Sequence, residues 1–258
     1  MNNRTLVFEK IANARDLGGL RTAQGSVIAP GCLIRSAHLA DATAADCAAL
    51  RTQYRLACVI DLRTAGERSE RPDPALPGVE YLPMPVFEGA VAGISHEREN
   101  MAAFLAALPK LEQLYGKLVT DPACLANLGR AARRVMEQDF ARGSVLWHCT
   151  KGKDRCGLLS AVLLLALGVP RSTVRADYLL ANRAEAARTE ALCRQMLAAG
   201  RPQAEVETVR DMLLAKESYL DAALAAIDAQ HGGTEGFLRE GLQLPPALLE
   251  QFRRSVLR

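Results

Sequence analysis

Apolar positions along this chain alternate between a two-residue and a helical period, and the changes fall at turn-forming residues. Thr5 to Glu9 and Ser26 to Ile34 read as short strands, the second broken by Pro30-Gly31, whose fixed and permissive backbones favour a turn. Thr43 can cap a helix running to about Tyr54, because its hydroxyl can accept from free first-turn amides. Leu56 to Ile60 is an apolar run that ends in Asp61-Leu62-Arg63, as expected of an interior strand with polar residues at its carboxyl end. Val79 to Leu82, fenced by Pro77-Gly78 and Pro83, is a further strand. From about Glu97 the spacing turns helical through Met101, Leu105, Leu108, Leu111, Leu114 and Leu118, and another helix follows Pro122. Ser144 to Trp147 reads as a short strand, and Gly157 to Leu167 as a nearly all-apolar helix. Arg171 to about Ala229 is helical, interrupted at Gly200-Arg201-Pro202, with two antiparallel helices expected after the break. No internal repeat of fixed period is present.

The expected fold is therefore α/β: a central, mainly parallel or mixed sheet flanked by helices, with extra C-terminal helices. At 258 residues, 49% hydrophobic and 24% charged, the chain can build a sizeable core, and no linker-like stretch divides it. One domain over 1–258 is expected, with the stretch at about 184–230 either a helical lid or a packed layer. The net charge of +3 is carried mostly by scattered Arg, which argues against a nucleic-acid partner. Only six Lys occur, yet Lys151 and Lys153 lie within three residues of each other. Seven Cys, an odd and widely spread set, read as reduced thiols, and neither a CxxC pair nor zinc-type Cys/His spacing occurs, so no metal or other cofactor is expected. The longest apolar run, Leu158 to Val169, is about 12 residues against the roughly 20 that span a bilayer, and Met1 to Lys10 lacks the apolar region of a secretory signal. Cytoplasm is the expected location, with export lacking a classical signal as the alternative.

The chemistry concentrates in His148-Cys149-Thr150-Lys151-Gly152-Lys153-Asp154-Arg155, between a strand and a buried helix. That order presents successive amides and a helix N-terminus to one anion. Phosphate monoester cleavage needs a nucleophile, donors for the non-bridging oxygens and an acid for the leaving oxygen, and the string offers all three. Around Cys149, the amides, the helix dipole, Lys151, Lys153 and Arg155 favour thiolate. Arg155 can take two phosphate oxygens at once with its planar guanidinium. Thr150, Lys151, Gly152 and Lys153 line the loop, Gly152 removing a side chain where backbone approaches the anion. Asp154 is a candidate proton donor. A lone Cys ending a buried strand is ordinarily a core residue, but five intervening residues including a Gly, then Arg, in this strand–helix context favour a nucleophile. His148 is expected to be a hydrogen-bonder beneath the loop, and Arg15 and Asp16, in a Gly-bounded turn, to be structural.

This string resembles the signature of the cysteine-based protein tyrosine phosphatase superfamily, and its Gly-Lys-Asp-Arg ending is similar to the bacterial and fungal tyrosine-phosphatase-like group, whose secreted pathogen members also act on phosphoinositides. Asn13-Ala14-Arg15-Asp16-Leu17-Gly18-Gly19, Leu33-Ile34-Arg35-Ser36-Ala37, Val59-Ile60-Asp61-Leu62-Arg63-Thr64 with Glu67, and Asp177-Tyr178-Leu179 resemble further segments of that group, in its order. The resemblance implies a phosphocysteine at Cys149, phosphoryl binding by Arg155, and Asp154 as acid and then base. Asp61 is the rival acid, since the wider superfamily draws it from a separate loop; the other reading of Asp61 is a carboxylate capping amides or pairing with Arg63. The superfamily usually has Ser or Thr after the loop arginine, whose hydroxyl donates to the thiolate; here Cys156 stands there. A thiol donates more weakly, so slower phosphocysteine hydrolysis is expected, and the second sulfur opens either a reversible disulfide with Cys149 or a plain buried role.

The expected substrate is a phosphorylated protein, phosphotyrosine or dual-specificity, with phosphoinositide headgroups as the alternative, which a wide rim with two extra cations at Lys151 and Lys153 would suit. Sulfur transfer of the rhodanese type is disfavoured by the spacing to Arg155 and by His148. A non-catalytic phosphate-binding module is the third reading. Oligomeric state is not legible from the sequence.

Overall fold

The computed structural model describes residues 4–87 and 111–258. Five strands, β1 (Arg15–Asp16), β2 (Leu33–Ser36), β3 (Leu56–Asp61), β4 (Glu80–Pro83) and β5 (Ser144–His148), form one mixed sheet in the order β1-β2-β5-β3-β4. Only β1 runs antiparallel to its neighbour; β2, β5, β3 and β4 are mutually parallel. Alternation sorts their side chains: Val145 and Trp147 of β5 enter the larger hydrophobic cluster, Leu146 the smaller one on the opposite face. In β3 a register shift between Leu56 and Cys58 puts Leu56 and Val59 in the smaller cluster despite their odd spacing.

The smaller cluster is covered by α1 (Ala44–Thr52), whose N-cap Thr43 forms a capping box with Asp46. A short helix, α2 (Ala65–Glu70), follows β3 and is likewise boxed, by Thr64 and Glu67. The larger cluster is built from α3 (Leu111–Leu118), α4 (Pro122–Met136), α5 (Asp154–Ala166), α6 (Arg171–Leu179), α9 (Glu217–His231) and α10 (Pro246–Val256). Every residue of β5 and of α5 is buried, which explains the uniform apolarity of that stretch. Between α6 and α9 lie α7 (Asn182–Ala198) and α8 (Gln203–Leu213), with only Thr189, Cys193, Val206 and Val209 buried.

Several sequence expectations need correction. Thr5 to Glu9 makes one isolated bridge, Thr5 with Arg15, because the Asp46 carboxylate takes the Glu9 and Lys10 amides at 2.7 and 3.0 Å. Within Ser26 to Ile34, Val27 and Ile28 form single bridges to Arg21 and Leu257, and the strand proper begins after the Pro30-Gly31 turn. The Gly200 break is the turn of a hairpin rather than its start: Glu190 of α7 receives Arg210 of α8, and Cys193 lies against Val206, so the two helices run antiparallel. Met101, Leu105 and Leu108 lie outside the described residues; Leu111, Leu114 and Leu118 form the buried face of α3.

Candidate active site

The loop from Cys149 to Lys153 joins the carboxyl end of the central strand β5 to the N-terminus of α5, where unsatisfied amides and the helix dipole favour an anion. Gly152 has φ +66°, and a Cβ there would lie 2.5 Å from the Ser36 carbonyl oxygen, so only glycine lets the loop pass β2. The loop carbonyls are held from behind. Asn13 Nδ2 donates to the oxygens of Lys151 and Gly152 at 3.0 Å each, and the Arg35 guanidinium donates to Gly152 at 2.7 Å. Arg35 and Arg15 are in turn fixed by Asp177, which also receives Arg4. Burial opposes the Asp177 charge, but these three guanidinia outweigh it and hold the carboxyl well below the usual range.

Arg155, in the first turn of α5, is almost wholly buried and lies bidentate on Glu67, at 2.5 Å from Nη1 to Oε2 and 2.8 Å from Nη2 to Oε1. Glu67 Oε1 also accepts the Thr150 hydroxyl at 2.5 Å and Oε2 the Thr64 amide at 2.9 Å. One carboxylate therefore caps α2, braces the Cys149–Lys153 loop and fixes the plane of the guanidinium. Burial alone would raise the Glu67 carboxyl, yet Arg155 and Thr150 pull it far below its ordinary value. The Arg155 guanidinium sits 5.3 Å from the centroid of the Phe87 ring. Nη1 also lies 3.5 Å from the Leu62 carbonyl and Nη2 3.5 Å from the Thr150 hydroxyl, both at the long limit of a hydrogen bond.

The two candidate acids are both buried and both accept a tyrosine hydroxyl, but differ in how tightly a cation holds them. Asp154 is buried and accepts the Tyr115 hydroxyl at 2.5 Å, while Tyr115 meets the Tyr178 hydroxyl at 2.7 Å and the Lys153 ammonium lies 3.5 Å away. Burial, with Asp154 next in effect, raises Tyr115 well above its usual pKa, so it remains a proton donor to that carboxyl. Asp61 is boxed in by charge: it caps the Arg63 amide at 3.0 Å, pairs with the Arg63 guanidinium at 2.7 Å and accepts the Tyr81 hydroxyl at 2.6 Å. Burial pushes against its ionisation, but His148, Arg63 and Tyr81 prevail and hold it at about 2. Asp61 therefore has no proton to give near neutral pH. His148 lies wholly buried under the loop, with Nε2 2.9 Å from Asp73 and Nδ1 3.8 Å from Asp61. Burial would depress its pKa; Asp61 and Asp73 reverse that and raise it. Asp61, Asp73 and His148 are the donors among the described residues close enough together to hold a metal ion. The Arg63 guanidinium already lies against both carboxylates, at 2.7 and 2.8 Å, and supplies the positive charge there.

Two side chains, Lys153 and Lys151, sit differently from what the sequence led us to expect. Lys153 is not a rim cation: it is 1% exposed, and Nζ donates to the Met212 carbonyl at 2.5 Å and to that of Leu214 at 3.3 Å, at the end of α8. Lys151 stands at the rim but is paired with Glu185 of α7 at 2.9 Å. The Cys156 thiol lies 3.6 Å from the Trp147 carbonyl, to which it donates; all seven cysteines are free, and burial pushes Cys156 up to about 11. Sequence reasoning named Asn13, Arg35 and Asp177 only within segments resembling the family, with no role assigned, and did not name Tyr115. The available signal was the clustering of Asn13, Arg15 and Arg35 in short polar strings beside glycine or ahead of small residues, where charge has no amphipathic explanation.

A cysteine, a fixed guanidinium and a buried carboxyl at one helix mouth are the parts that a phosphoryl-transfer site of the phosphatase class requires. Sequence comparison agrees: the description "tyrosine phosphatase family" matches residues 6–258. Over 250 residues the chain is 35% identical to a Cupriavidus necator protein bearing the name of a tyrosine-protein phosphatase, covering 95% of this chain and 86% of that one. The triple specificity protein phosphatase PtpB of Mycobacterium tuberculosis is 29% identical over 256 residues, covering 88% and 90%, and a tyrosine-protein phosphatase of Nostoc commune is 28% identical over 226 residues, covering 84% and 71%. The chain belongs to the tyrosine phosphatase family, and it is a phosphatase.

Proposed function

We propose that the enzyme hydrolyses phosphotyrosine in proteins through a phosphocysteine at Cys149. The thiolate attacks phosphorus, and the S–P bond forms as the ester P–O bond breaks. Amides of the loop and Arg155 hold the non-bridging oxygens, where charge concentrates in the transition state. Asp154 gives its proton to the departing phenolic oxygen, and as carboxylate then takes one from the water that releases phosphate. The observation that carries this reading is the Arg155–Glu67–Thr150 brace, which fixes the guanidinium within the loop that begins at Cys149.

Phosphotyrosine is favoured over a phosphoinositide headgroup because both loop lysines are engaged, Lys151 by Glu185 and Lys153 by carbonyls of α8. The triple specificity in the name of the mycobacterial relative supports testing phosphoserine and phosphothreonine as well. The match over residues 6–258 supports one phosphatase unit, in which the sparsely buried α7–α8 hairpin acts as a cover tied to the loop by its two lysines. Within 184–230, α9 is excluded from that cover by its buried Tyr219, Leu220, Ala223, Leu224 and Ile227. Free thiols at all seven cysteines support a reducing, cytoplasmic setting; among the described residues no helix is long and apolar enough to cross a membrane. The reading is tested by aryl phosphate hydrolysis in the presence of a chelator. Activity that persists with chelator, is blocked by vanadate and disappears in Cys149→Ser is expected; chelator-sensitive activity that survives in Cys149→Ser would overturn it.

A further inference from the structure

Beside the phosphate loop lies a groove of about 470 Å³ whose inner edge is Thr150 and Lys151. It draws residues from four separate segments: Lys10 before β1, His38 and Asp41 after β2, Glu70 and Arg71 at the end of α2, and Glu185 and Arg188 on α7. The His38 amide donates to the Thr150 carbonyl at 3.2 Å, so the groove wall is joined directly to the loop. Two of its cations are already neutralised, Arg71 by Asp41 and Lys151 by Glu185. Lys10 and Arg188 pair with no carboxylate among the described residues. Burial, and after it the nearby Arg71, lowers the His38 pKa, which leaves the imidazole neutral at pH 7.

The occupant of this groove follows from its charge pattern. Four cations, Lys10, Arg71, Lys151 and Arg188, face three carboxylates, Asp41, Glu70 and Glu185. A polyphosphorylated headgroup, with several negative charges in a small volume, would meet those three carboxylates at close range. A peptide offers one acidic side chain at a time among neutral backbone groups, and backbone suits a surface lined by donors and acceptors of both signs. The position next to Thr150 and Lys151 also fits, since a residue flanking the phosphorylated one must leave the loop over its rim. On the reading of the enzyme as a cysteine phosphatase acting on proteins, we infer that this groove is a specificity subsite for an acidic residue flanking the phosphorylated tyrosine, with Lys10 and Arg188 as its counter-charges.

The test compares kcat/KM for two phosphotyrosine peptides that differ only in Glu or Ala at the flanking positions, together with a small aryl phosphate. Wild-type enzyme is expected to favour the Glu peptide by about tenfold, each of Lys10→Ala and Arg188→Ala to remove about threefold, and the double variant to abolish the preference. Hydrolysis of the aryl phosphate, which does not reach the groove, stays unchanged in all three variants. Charge reversal by Lys10→Glu with Arg188→Glu is expected to turn the preference toward a Lys-flanked peptide. A preference that persists in the double variant, or none in wild type, overturns the subsite. So does a loss confined to vesicles containing phosphorylated phosphatidylinositol with peptides unaffected. A wild-type enzyme inert toward the aryl phosphate would instead refute the underlying phosphatase chemistry, so the two failures are told apart.

Discussion

Two parts of the molecule meet at Lys151 and Lys153 of the loop and are built on opposite terms. The β5–loop–α5 segment is buried throughout its strand and helix, so its backbone is fixed by packing on both sheet faces. The α7–α8 hairpin buries four side chains in two helices and reaches the loop through Lys151–Glu185 and the Lys153–Met212 contact. Elements with few buried apolar contacts open at low free-energy cost, whereas a core segment opens only with the whole fold. On the proposed function, chemistry that depends on tenths of an ångström falls on the rigid part, and recognition and covering on the part that can yield. Within the rigid part the two carboxylates differ in how closely charge approaches them: Asp61 pairs with the Arg63 guanidinium at 2.7 Å, whereas Asp154 accepts the Tyr115 hydroxyl with the Lys153 ammonium 3.5 Å away.

Substitutions should follow this division. The largest effect is expected in the rigid part: Cys149→Ser should lower kcat for an aryl phosphate by about 10⁴-fold or more, measured by steady-state kinetics with circular dichroism unchanged. Arg155→Lys should cost about 10² to 10³ in kcat/KM, because an ammonium cannot replace two parallel donors, and Glu67 loses its bidentate partner. Asp154→Asn should lower kcat by about 10² for a substrate with a poor alkyl leaving group and much less for a nitrophenyl phosphate, whose phenolate departs without a proton. Asp61→Asn should do the reverse. It should leave the leaving-group dependence intact but destabilise the fold by about 3 kcal/mol, read by urea denaturation, since it removes one of the two buried carboxylates that hold the Arg63 guanidinium.

The pH dependence of that stabilisation has a definite sign. The folded Asp61 value of about 2 lies below the ~3.9 of an unfolded aspartate, so its contribution is fully present above pH ~4 and is lost as pH falls toward 2. Acid unfolding of wild type should therefore show roughly 2 kcal/mol of pH-dependent stability in that window that Asp61→Asn lacks. At the yielding side effects are smaller. Glu185→Ala, which frees Lys151, should alter stability by less than about 1 kcal/mol and kcat/KM by no more than about threefold. A tenfold or larger loss in that variant would blur the division between rigid chemistry and yielding cover.

The rigid part was also the legible part. Continuous apolar runs at Leu56 to Ile60, Ser144 to Trp147 and Leu158 to Val169 announce strands and a helix buried on all sides, because nothing but burial explains such runs in a chain of mean hydropathy zero. The loop was legible because its residue types are fixed by chemistry at fixed spacing. What escaped was long-range: that the carbonyls of α8 would take the Lys153 ammonium, that Arg35 would reach the Gly152 carbonyl, and that Tyr115, 39 residues away in sequence, would donate to Asp154. Side-chain partners across elements depend on packing that no local pattern encodes. The weak strands near Thr5 and Ser26 were misjudged for the same reason, since Asp46 and the C-terminal segment took the backbone groups a ladder would have used.

The claim that the Cys149 sulfur bonds covalently to phosphorus is tested most directly by rapid acid quench during turnover of an aryl phosphate, followed by peptide mapping. Phosphate attached to the peptide at Cys149, absent in Cys149→Ser and shorter-lived when Cys156→Thr restores a hydroxyl at the start of α5, is the predicted result. Turnover with no phosphorylated cysteine at any quench time, or with the phosphate on another residue, would contradict it.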